Sequence, residues 1–540
     1  MGAPGAGALI ERSFKRRALG QADLAGILGA ALQALREEGY VAASVERIRQ
    51  QASDRLTSSL ADWSIQALVD TGLVAQSCSD SRPLVLDQDL LYFAADWRME
   101  VDLATKMALL ASTPASKAER ALKGHEALGE DQRRALKHAL SHRLTVVSGG
   151  PGTGKTTLVG HLIRAWLAEG GDPSRLLIAA PTGRAAARLS AAVAANVEQS
   201  LPPATTVHRT LGWSPSQVRF LFDEQRPMDA QLVIVDEVSM ADLGLMHALF
   251  AALATDAQVV LLGDKDQLVS VQPGSVMADL CMGLGASKAH HCVQTLAENF
   301  RYSKHSGIGR AANAIQLGDS DGLFDVLAQG GDVEQRAMLT GLDPICADWL
   351  HFDHGAPASE IWQQLLSKRL LCAHRSGVAG VNRVNAMVFR WLHRKGHLAG
   401  RYVDHQQSFP GRLFSLQGNH YDAGFFNGDQ GFITQRDGEL KAWVESSDQT
   451  LKSLSPSRLP PVESAFAMTV HRAQGSEFGE VHCVLPDSRS PLLTRELLYT
   501  AITRARQRVV IYAEKAALEK AITTPASRGS GLAARLQALC

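Results

Sequence analysis

The sequence has few cysteines and no cysteine motif. Seven occur among 540 residues, they are scattered, and none forms a Cys-x-x-Cys pair. An odd number of scattered cysteines argues against a disulfide scaffold, a zinc ribbon or a cysteine-rich cluster site. His290, His291 and Cys292 are adjacent but have no partner residues at ligand spacing along the chain, so they do not predict a metal site.

Long apolar runs are also missing. No stretch reaches the roughly 18 apolar residues that a membrane-spanning helix needs. Residues 1–17 are rich in Gly and Ala and then basic, without the apolar core of a signal peptide. Ala6 stands where N-myristoylation requires Ser or Thr. These absences predict a cytoplasmic protein without membrane contact.

Neither sign of charge is in excess. The 55 Lys and Arg residues balance the 55 Asp and Glu residues, so the net charge gives no indication of a nucleic-acid partner. A motor with a narrow basic groove can still be neutral overall, so composition leaves this question open. Hydrophobic residues make up 45% and charged residues 20%, which is typical of globular domains. A chain of 540 residues predicts three or four domains, at roughly 150 residues each.

The first segment, residues 1–110, is predicted to be a mainly helical domain. Apolar residues recur at helical spacing between Leu24 and Leu35, and Gly39 is a plausible stop. Residues 83–93 predict two short strands around Asp87-Gln88-Asp89. The segment is interpreted as a helical or winged-helix module that docks or stabilises, and a linker follows near residues 112–124.

From about residue 125 the pattern becomes α/β. Short apolar runs, each bounded by turn residues, alternate with helical stretches at 144–147, 176–178, 232–235, 259–262, 370–372, 481–485 and 509–512. Runs of this length predict parallel strands that are buried on both faces. They fall into two sets, which predict two doubly wound lobes over residues 125–325 and 326–540.

An interruption at about residues 408–461 divides the second lobe. It is rich in Gly, Asp and aromatic residues. Asp437-Gly438 lies between two strand-like runs, which is a strong hairpin signal. The segment therefore predicts a small inserted β-barrel.

The most specific motif is the glycine-rich segment 149–156, which follows a predicted strand and opens a predicted helix. It matches G-x-x-x-x-G-K-[ST], the phosphate-binding loop. Its glycines allow backbone N–H groups to face the phosphates at the positive end of the helix. Lys155 is expected at the β/γ oxygens, and Thr156 offers a hydroxyl to Mg²⁺. The predicted nucleotide contacts here are Gly149, Gly150, Pro151, Gly152, Thr153, Gly154, Lys155, Thr156 and Thr157.

Further candidates follow downstream strands. Asp236 and Glu237 end a buried run, where Asp236 is predicted to hold Mg²⁺ and Glu237 to polarise the attacking water. With the phosphate loop, they predict an ATPase or GTPase. Gln267 follows the next run and is either a sensor of the γ-phosphate or a turn-stabilising amide. Arg301 and Arg504 are candidate arginine fingers; the alternative for each is a surface salt bridge.

In this order the segments resemble superfamily 1 helicases, and among them the RecD-like branch, over about residues 125–515. The run 467–477 resembles motif V, and 499–506 resembles motif VI, which places Arg504 beside Arg301 at the γ-phosphate. Gln132 matches the glutamine that reads adenine. The resemblance implies two RecA-like P-loop lobes, an SH3-like form for the inserted barrel, and ATP with Mg²⁺ as cofactors.

The resemblance also implies a track for single-stranded DNA across both lobes. Segments 180–186 and 206–209 and motif V touch the strand in relatives. Sequence-independent gripping needs phosphate donors and stacking surfaces rather than base-reading groups. Relatives of this branch move 5′ to 3′. The implied DNA contacts are Thr182, Arg184, His208, Thr469 and His471.

The amino-terminal segment bears on the choice within the branch. Stand-alone RecD-like helicases carry tandem helix–hairpin–helix modules, which residues 1–110 lack. Residues 83–100 instead resemble the RecD subunits of RecBCD-type helicase–nucleases (exodeoxyribonuclease V). This implies RecB-like and RecC-like partners in a heterotrimer that acts at duplex ends in double-strand break repair and recombination.

Nuclease activity is expected on a partner rather than on this chain. Glu439-Leu440-Lys441 has the carboxylate–lysine pattern of such nucleases but no second well-placed acid nearby. Two alternatives to the motor subunit remain. One is a stand-alone RecD-like 5′-to-3′ helicase, and the other is a non-motor DNA-binding or regulatory subunit.

Overall fold

The computed structural model describes most of the chain, in segments with short gaps between them. The described residues are 21–55, 69–70, 72–75, 82–115, 127–214, 216–270, 272–302, 305–337, 343–398, 407–418, 420, 425, 427–446, 450–526 and 528–540. The predicted linker at 112–124 lies largely outside them. Across these segments, no helix is both long enough and apolar enough to cross a bilayer.

The amino-terminal segment combines helices with a small sheet. Its order is α1 (Gln21–Glu37), β1 (Ala42–Ser44), α2 (Val45–Arg55), β2 (Val74–Ala75), β3 (Leu84–Asp87), β4 (Leu90–Phe93) and α3 (Ala94–Ser112). The strands form one sheet in the order β1-β4-β3-β2. The predicted helix and hairpin are both present: Gly39 follows α1 with φ of 97°, and Gln88 turns between β3 and β4 with φ of 53°. A winged-helix or docking role stays a prediction.

The first lobe is built around a six-stranded parallel sheet. Its elements are α4 (Glu130–Ser141), β5 (Leu144–Gly149), α5 (Lys155–Ala168), β6 (Leu176–Ala180), α6 (Gly183–Asn196), β7 (Thr205–Thr206), α7 (Val207–Thr210), β8 (Leu232–Val235), α8 (Leu243–Ala251), β9 (Gln258–Gly263), α9 (Val276–Gly285) and β10 (Val293–Leu296). The strand order in the sheet is β10-β5-β9-β8-β6-β7. The strands β5, β8 and most of β9 are buried, as their apolar runs predict.

The second lobe has a five-stranded parallel sheet, and the insertion has a five-stranded antiparallel sheet. The lobe begins with α10 (Gly307–Leu317), α11 (Ser320–Gln329), β11 (Val333–Arg336), α12 (Asp343–Cys346), α13 (Ala358–Leu365), β12 (Lys368–Cys372) and α14 (Val381–Arg394). The insertion follows as β13 (Leu413–Leu416), β14 (Gln430–Arg436), β15 (Glu439–Glu445), β16 (Leu451–Leu454) and β17 (Val462–Ser464). The lobe resumes with β18 (Ala467–Thr469), β19 (Phe478–Val484), α15 (Arg495–Ile502), β20 (Ala505–Tyr512) and α16 (Lys515–Thr523). The strand order is β11-β20-β19-β12-β18 in the lobe and β16-β15-β14-β13-β17 in the insertion.

These elements confirm the α/β class with two parallel-sheet lobes. The predicted hairpin is also present, because β14 and β15 are joined by Asp437 and Gly438, whose φ values are 53° and 81°. Two consecutive positive φ angles are those of a type I′ turn, whose twist matches the flanking strands. A closed, SH3-like form of the inserted sheet stays a prediction.

The last helix, α17 (Leu532–Leu539), packs on the first lobe and the amino-terminal segment. Leu532 and Leu536 are buried in the same core as Leu103 and Met107 of α3. Glu100, which is fully buried, accepts hydrogen bonds from Ser530 Oγ at 2.9 Å, Gly531 N at 3.1 Å and Arg535 Nε at 3.0 Å. The pattern of an amphipathic helix does not specify the surface that covers it, so this contact was not predictable from the sequence. The predicted domain boundaries, 1–110, 125–325 and 326–540, stay predictions.

Candidate nucleotide and nucleic-acid site

The phosphate-binding loop joins β5 to α5, as predicted. Gly152 and Gly154 have φ values of 87° and 76°, in the left-handed region that favours glycine. A Cβ atom on Gly152 would lie 2.5 Å from Cβ of Arg301, so no side chain fits there. Lys155 Nζ donates to the carbonyl oxygens of Gly149 and Gly150. The loop therefore holds its lysine at the carboxyl edge of the sheet.

A cavity of about 320 Å³ opens in front of this loop, and both lobes contribute to its wall. It brings together the five predicted catalytic residues and the two predicted metal ligands, together with most of the predicted loop contacts. Gln132, Gly149 and Gly150 are not among its lining residues. The predicted residues that line it are Pro151, Gly152, Thr153, Gly154, Lys155, Thr156, Thr157, Asp236, Glu237, Gln267, Arg301 and Arg504.

Four side chains of this wall carry a buried polar atom that has no hydrogen-bond partner in the described part of the chain. Two are acceptors, Glu237 Oε2 and Gln267 Oε1, and two are donors, Arg301 Nη1 and Arg504 Nη2. A buried polar atom without a partner costs roughly 1–3 kcal/mol, so such atoms indicate a ligand. A phosphate group accepts from the guanidinium groups, and an attacking water donates to the carboxylate and amide oxygens. The wall therefore fits a nucleoside triphosphate.

Asp236 and Thr156 offer oxygen atoms of the kind that Mg²⁺ prefers. Burial, together with the charge of Glu237, raises the pKa of Asp236, and Lys155 opposes that effect. A bound divalent cation would favour the ionised carboxylate. Glu237 itself has φ of 56° and ψ of 39°, a left-handed conformation that costs a non-glycine residue energy and is common at functional sites.

Gln132 forms a hydrogen bond with the backbone of the phosphate loop. Its amide nitrogen donates to Thr153 O at 3.1 Å, and its oxygen accepts from Gly129 N at 3.1 Å. The residue is buried, with 4% exposure. The side-chain amide of Gln132 thus forms hydrogen bonds at the loop. Recognition of adenine by Gln132 stays a prediction.

Glu477 joins three arginines between the lobes. Its Oε1 lies 2.5 Å from Nη2 of Arg188 and 2.5 Å from Nη2 of Arg301, and its Oε2 lies 3.0 Å from Nη2 of Arg506. Burial alone would raise the pKa of Glu477, but Arg188, Arg301 and Arg506 hold it at about 2. The sequence did not single out Glu477 or Arg188 as site residues. One signal was present, since Arg188 lies four residues after Arg184 and so shares its helix face.

The loop that carries Gln267 also contacts the second lobe. Tyr499 OH donates to Asp264 Oδ2 at 3.1 Å, and Leu268 N donates to Thr500 Oγ1 at 2.7 Å. Gln474 Nε2 donates to the carbonyl oxygen of Leu268. This loop therefore contacts both the nucleotide cavity and the second lobe, and its contacts with the lobe are direct hydrogen bonds.

A larger groove of about 1290 Å³ lies beside the cavity, and both lobes and the inserted sheet line it. Four of the five implied DNA contacts, Thr182, Arg184, His208 and His471, belong to its wall. Thr469 is not a lining residue. Its Oγ1 accepts from Arg472 N at 3.3 Å, and Arg472 does line the groove. Thr469 therefore shapes the turn that presents Arg472.

Two of these groove residues have specific surroundings. Arg184 bridges the structural units, because Nη1 donates to Ser476 Oγ and Nη2 to Glu445 Oε2, both at 2.7 Å. Burial and the nearby Arg528 lower the pKa of His471 to about 4. His471 is therefore neutral at pH 7 and can offer a hydrogen bond but not a charge.

The groove also contains an aromatic surface that was not predicted from the sequence. Trp213 lines the groove with 38% exposure, and its ring centroid lies 5.0 Å from that of Phe220 and 6.2 Å from that of His208. An exposed indole held from behind by a second ring is suited to stacking on a base. The position of Trp213 just after the 206–209 segment was the available signal.

A phosphate-binding loop in a cavity between two parallel-sheet lobes, next to a groove that crosses both, defines the class of two-lobed P-loop motors to which superfamily 1 helicases belong. Residues 127–337 match an AAA domain model, and residues 464–512 match the UvrD-like helicase C-terminal domain. The RecBCD enzyme subunit RecD of Mycolicibacterium smegmatis is 37% identical over 472 residues, which cover 83% of this chain and 82% of that protein. The chain belongs to the RecD family of helicases, and the predicted resemblance is confirmed.

Two further sequence relatives agree with this placement. RecD of Haemophilus influenzae is 29% identical over 76% of this chain and 72% of its own length. The ATP-dependent RecD2 DNA helicase of Deinococcus radiodurans is 31% identical over 84% of this chain but only 60% of that protein. Among solved structures, Bacteroides Pif1 bound to single-stranded DNA matches with a TM-score of 0.43 and 18% identity, over 72% of this chain and 93% of that one.

Proposed function

We propose that this chain is an ATP-driven motor that moves 5′ to 3′ on single-stranded DNA, as a subunit of a RecBCD-type helicase–nuclease in double-strand break repair and recombination. One observation carries the motor function. Arg188, Gly475 and Glu477 line both the nucleotide cavity and the groove. Because the two spaces share this wall, a movement of the lobes about the nucleotide changes the groove as well.

In the proposed phosphoryl transfer, each of the following cavity residues has a role. Glu237 orients the attacking water, and Gln267 contacts it or the γ-phosphate. Arg301 and Arg504 donate to the oxygens on which charge develops, beside Lys155. Thr156 and Asp236 would hold Mg²⁺, which neutralises phosphate charge when it is bound.

In the groove, binding rests on phosphate donors and one stacking surface. Thr182, Arg184 and His208 face the strand from the first lobe, and His471 faces it from the second. Trp213 supplies the aromatic surface. None of these groups requires a particular base, which suits a motor that must move along any sequence. A net charge of zero is compatible with this groove, because only the groove has to match the phosphates.

RecB-like and RecC-like subunits are the proposed partners, and the cutting of DNA is assigned to a partner. The relatives named as RecD subunits support the assembly, since the match to the M. smegmatis protein covers similar shares of both chains. Glu439 and Lys441 are exposed side chains on the β15 strand of the insertion hairpin, which is an ordinary place for solvated charges. The RecD2 relative, which is longer than the matched region, keeps a stand-alone helicase as the alternative.

Unwinding by the purified single chain tests this proposal on matched duplexes that carry either a 5′ or a 3′ single-stranded tail. We expect DNA-stimulated ATP hydrolysis with little unwinding by the chain alone, and unwinding from the 5′ tail after RecB-like and RecC-like subunits are added. Robust unwinding from the 5′ tail without partners would establish the stand-alone helicase instead. A preference for the 3′ tail would overturn the polarity, and DNA binding without ATP turnover would indicate a non-motor subunit.

A further inference from the structure

Three histidines that are far apart in the sequence meet on the first lobe. His138 lies on α4, His142 directly follows that helix, and His291 lies in a short 3₁₀ turn, His290–Cys292, that precedes β10. One ring nitrogen from each lies within 4.8 Å of the other two. The rings of His138 and His142 are stacked with centroids 3.8 Å apart, and the ring of His291 lies 5.6 Å and 5.2 Å from them.

The ring of His138, the most buried of the three, has a hydrogen-bond partner at one nitrogen but not at the other. Nδ1 of His138 lies 2.9 Å from Thr145 Oγ1. Its Nε2 is buried without a hydrogen-bond partner in the part of the chain that the structure describes, and the residue is only 8% exposed. A hydrogen bond at one ring nitrogen orients the other toward a metal ion in histidine sites. An ordinary core histidine would instead have both nitrogens satisfied.

We propose that His138, His142 and His291 bind a transition-metal ion such as Zn²⁺. Neutral imidazoles suit Zn²⁺, Ni²⁺ and Cu²⁺. At a Zn–N distance of 2.0–2.1 Å, tetrahedral ligand atoms lie about 3.3 Å apart. A bound ion lies in the plane of each imidazole, so one of the two stacked rings, His138 or His142, has to rotate out of the stack to complete the site. Three protein ligands leave the fourth position to water.

The sequence alone did not predict this site, because His291 has no other ligand residue at ligand spacing along the chain. The fold brings His138 on α4 and His142, directly after α4, next to it.

The position of the cluster indicates a structural role. His142 and His291 lie just before β5 and β10, which pair in parallel with Val146 opposite Val293. The phosphate loop follows the other end of β5, roughly 20 Å away for a six-residue strand at about 3.3 Å per residue. The backbone of His142 also pairs with that of Pro114, just after α3, in an isolated antiparallel β-bridge. A bound ion would tie these segments together without touching the nucleotide.

Metal binding by the untagged full chain tests the site. Calorimetric titration of the metal-free protein with Zn²⁺ alone is expected to show one site per chain, and Co²⁺ should give the visible absorption of a tetrahedral site. His291→Ala is the informative variant, because His291 is exposed and its replacement leaves the core intact. We expect at least about 100-fold weaker Zn²⁺ binding, since removal of even an outer partner costs 10–100-fold.

His290→Ala is the matched control, because it removes an exposed neighbouring imidazole that is not in the cluster. It should bind Zn²⁺ like the parent chain. Zn²⁺ should raise the melting temperature of the parent and of His290→Ala but not of His291→Ala, while ATP turnover stays equal in all three. Equal affinities of the two variants, or no stoichiometric binding by the parent, would overturn the proposal whatever the motor activity proves to be.

Discussion

Arg301 of the first lobe and Glu477 of the second lobe form a partly buried ion pair, with 2.5 Å between Nη2 and Oε1, in the wall of the nucleotide cavity. The pair holds one end of the guanidinium, and Nη1 of the same group has no hydrogen-bond partner in the described structure. A guanidinium anchored on one side is positioned to donate from the other. Because the anchor belongs to the opposite lobe, this donation depends on how the lobes are placed.

Replacing Glu477 with Gln should lower the melting temperature at pH 7. The pKa of Glu477 in the folded protein is about 2, below the ordinary 4.5, so its ionised form stabilises the fold above pH 4.5. The difference corresponds to about 3 kcal/mol, at about 1.4 kcal/mol for each pKa unit. That stability is lost as the pH falls from 4.5 toward 2. Calorimetry across this range should show that the difference in melting temperature between parent and variant becomes smaller as the pH falls.

Glu439→Gln, at an exposed carboxylate, is the control for this experiment. A difference in melting temperature between parent and Glu477→Gln that stays the same at every pH would contradict the ionic role.

Replacing Arg301 or Arg504 with Ala should reduce ATP turnover far more than ATP binding. Arginine fingers act on charge that develops in the transition state and contribute roughly 10³–10⁵-fold to the rate. Single-turnover hydrolysis and nucleotide titration separate the two effects. Arg506→Ala is the matched control, because Arg506 shares Glu477 but lines only the groove. Equal losses in binding and turnover would argue against the finger role.

Lys155→Ala should abolish ATP turnover and leave binding of single-stranded DNA unchanged. The lysine lies at the phosphate loop, while the groove is lined by other residues. Steady-state hydrolysis and fluorescence anisotropy with a labelled oligonucleotide measure the two properties. Lys288→Ala, at an exposed lysine, provides the comparison. Retained turnover would show that the nucleotide site is misassigned.

Trp213→Ala should weaken binding of single-stranded DNA by about 10-fold without changing turnover in the absence of DNA. Stacking on one base is worth roughly 1–3 kcal/mol, and 1.4 kcal/mol is a tenfold change in affinity. Trp213→Phe keeps an aromatic face and should retain most of the affinity. If the two substitutions behave alike in anisotropy titrations, stacking is not the contribution of this residue.

Local features of the structure were predictable from the sequence because they depend on neighbours along the chain. The phosphate loop needs glycines at positive φ beside a strand and a helix, and the pattern around Gly152 and Gly154 meets that need directly. Asp437-Gly438 likewise determines its own hairpin. The buried strands follow from their apolar runs, because parallel strands covered on both faces exclude polar side chains.

The sequence by itself therefore determined the motor class, the order of its motifs and most of the nucleotide wall. Tertiary structure alone decided which distant residues share a contact. It placed three arginines on Glu477, three histidines around one point, and the last helix on Glu100 of α3. It also placed Thr469 outside the groove wall, where its hydroxyl accepts a hydrogen bond from Arg472 N. Periodicity and spacing specify helices, strands and loops, but an ion pair or a ligand set forms only where packing brings side chains from separate elements together.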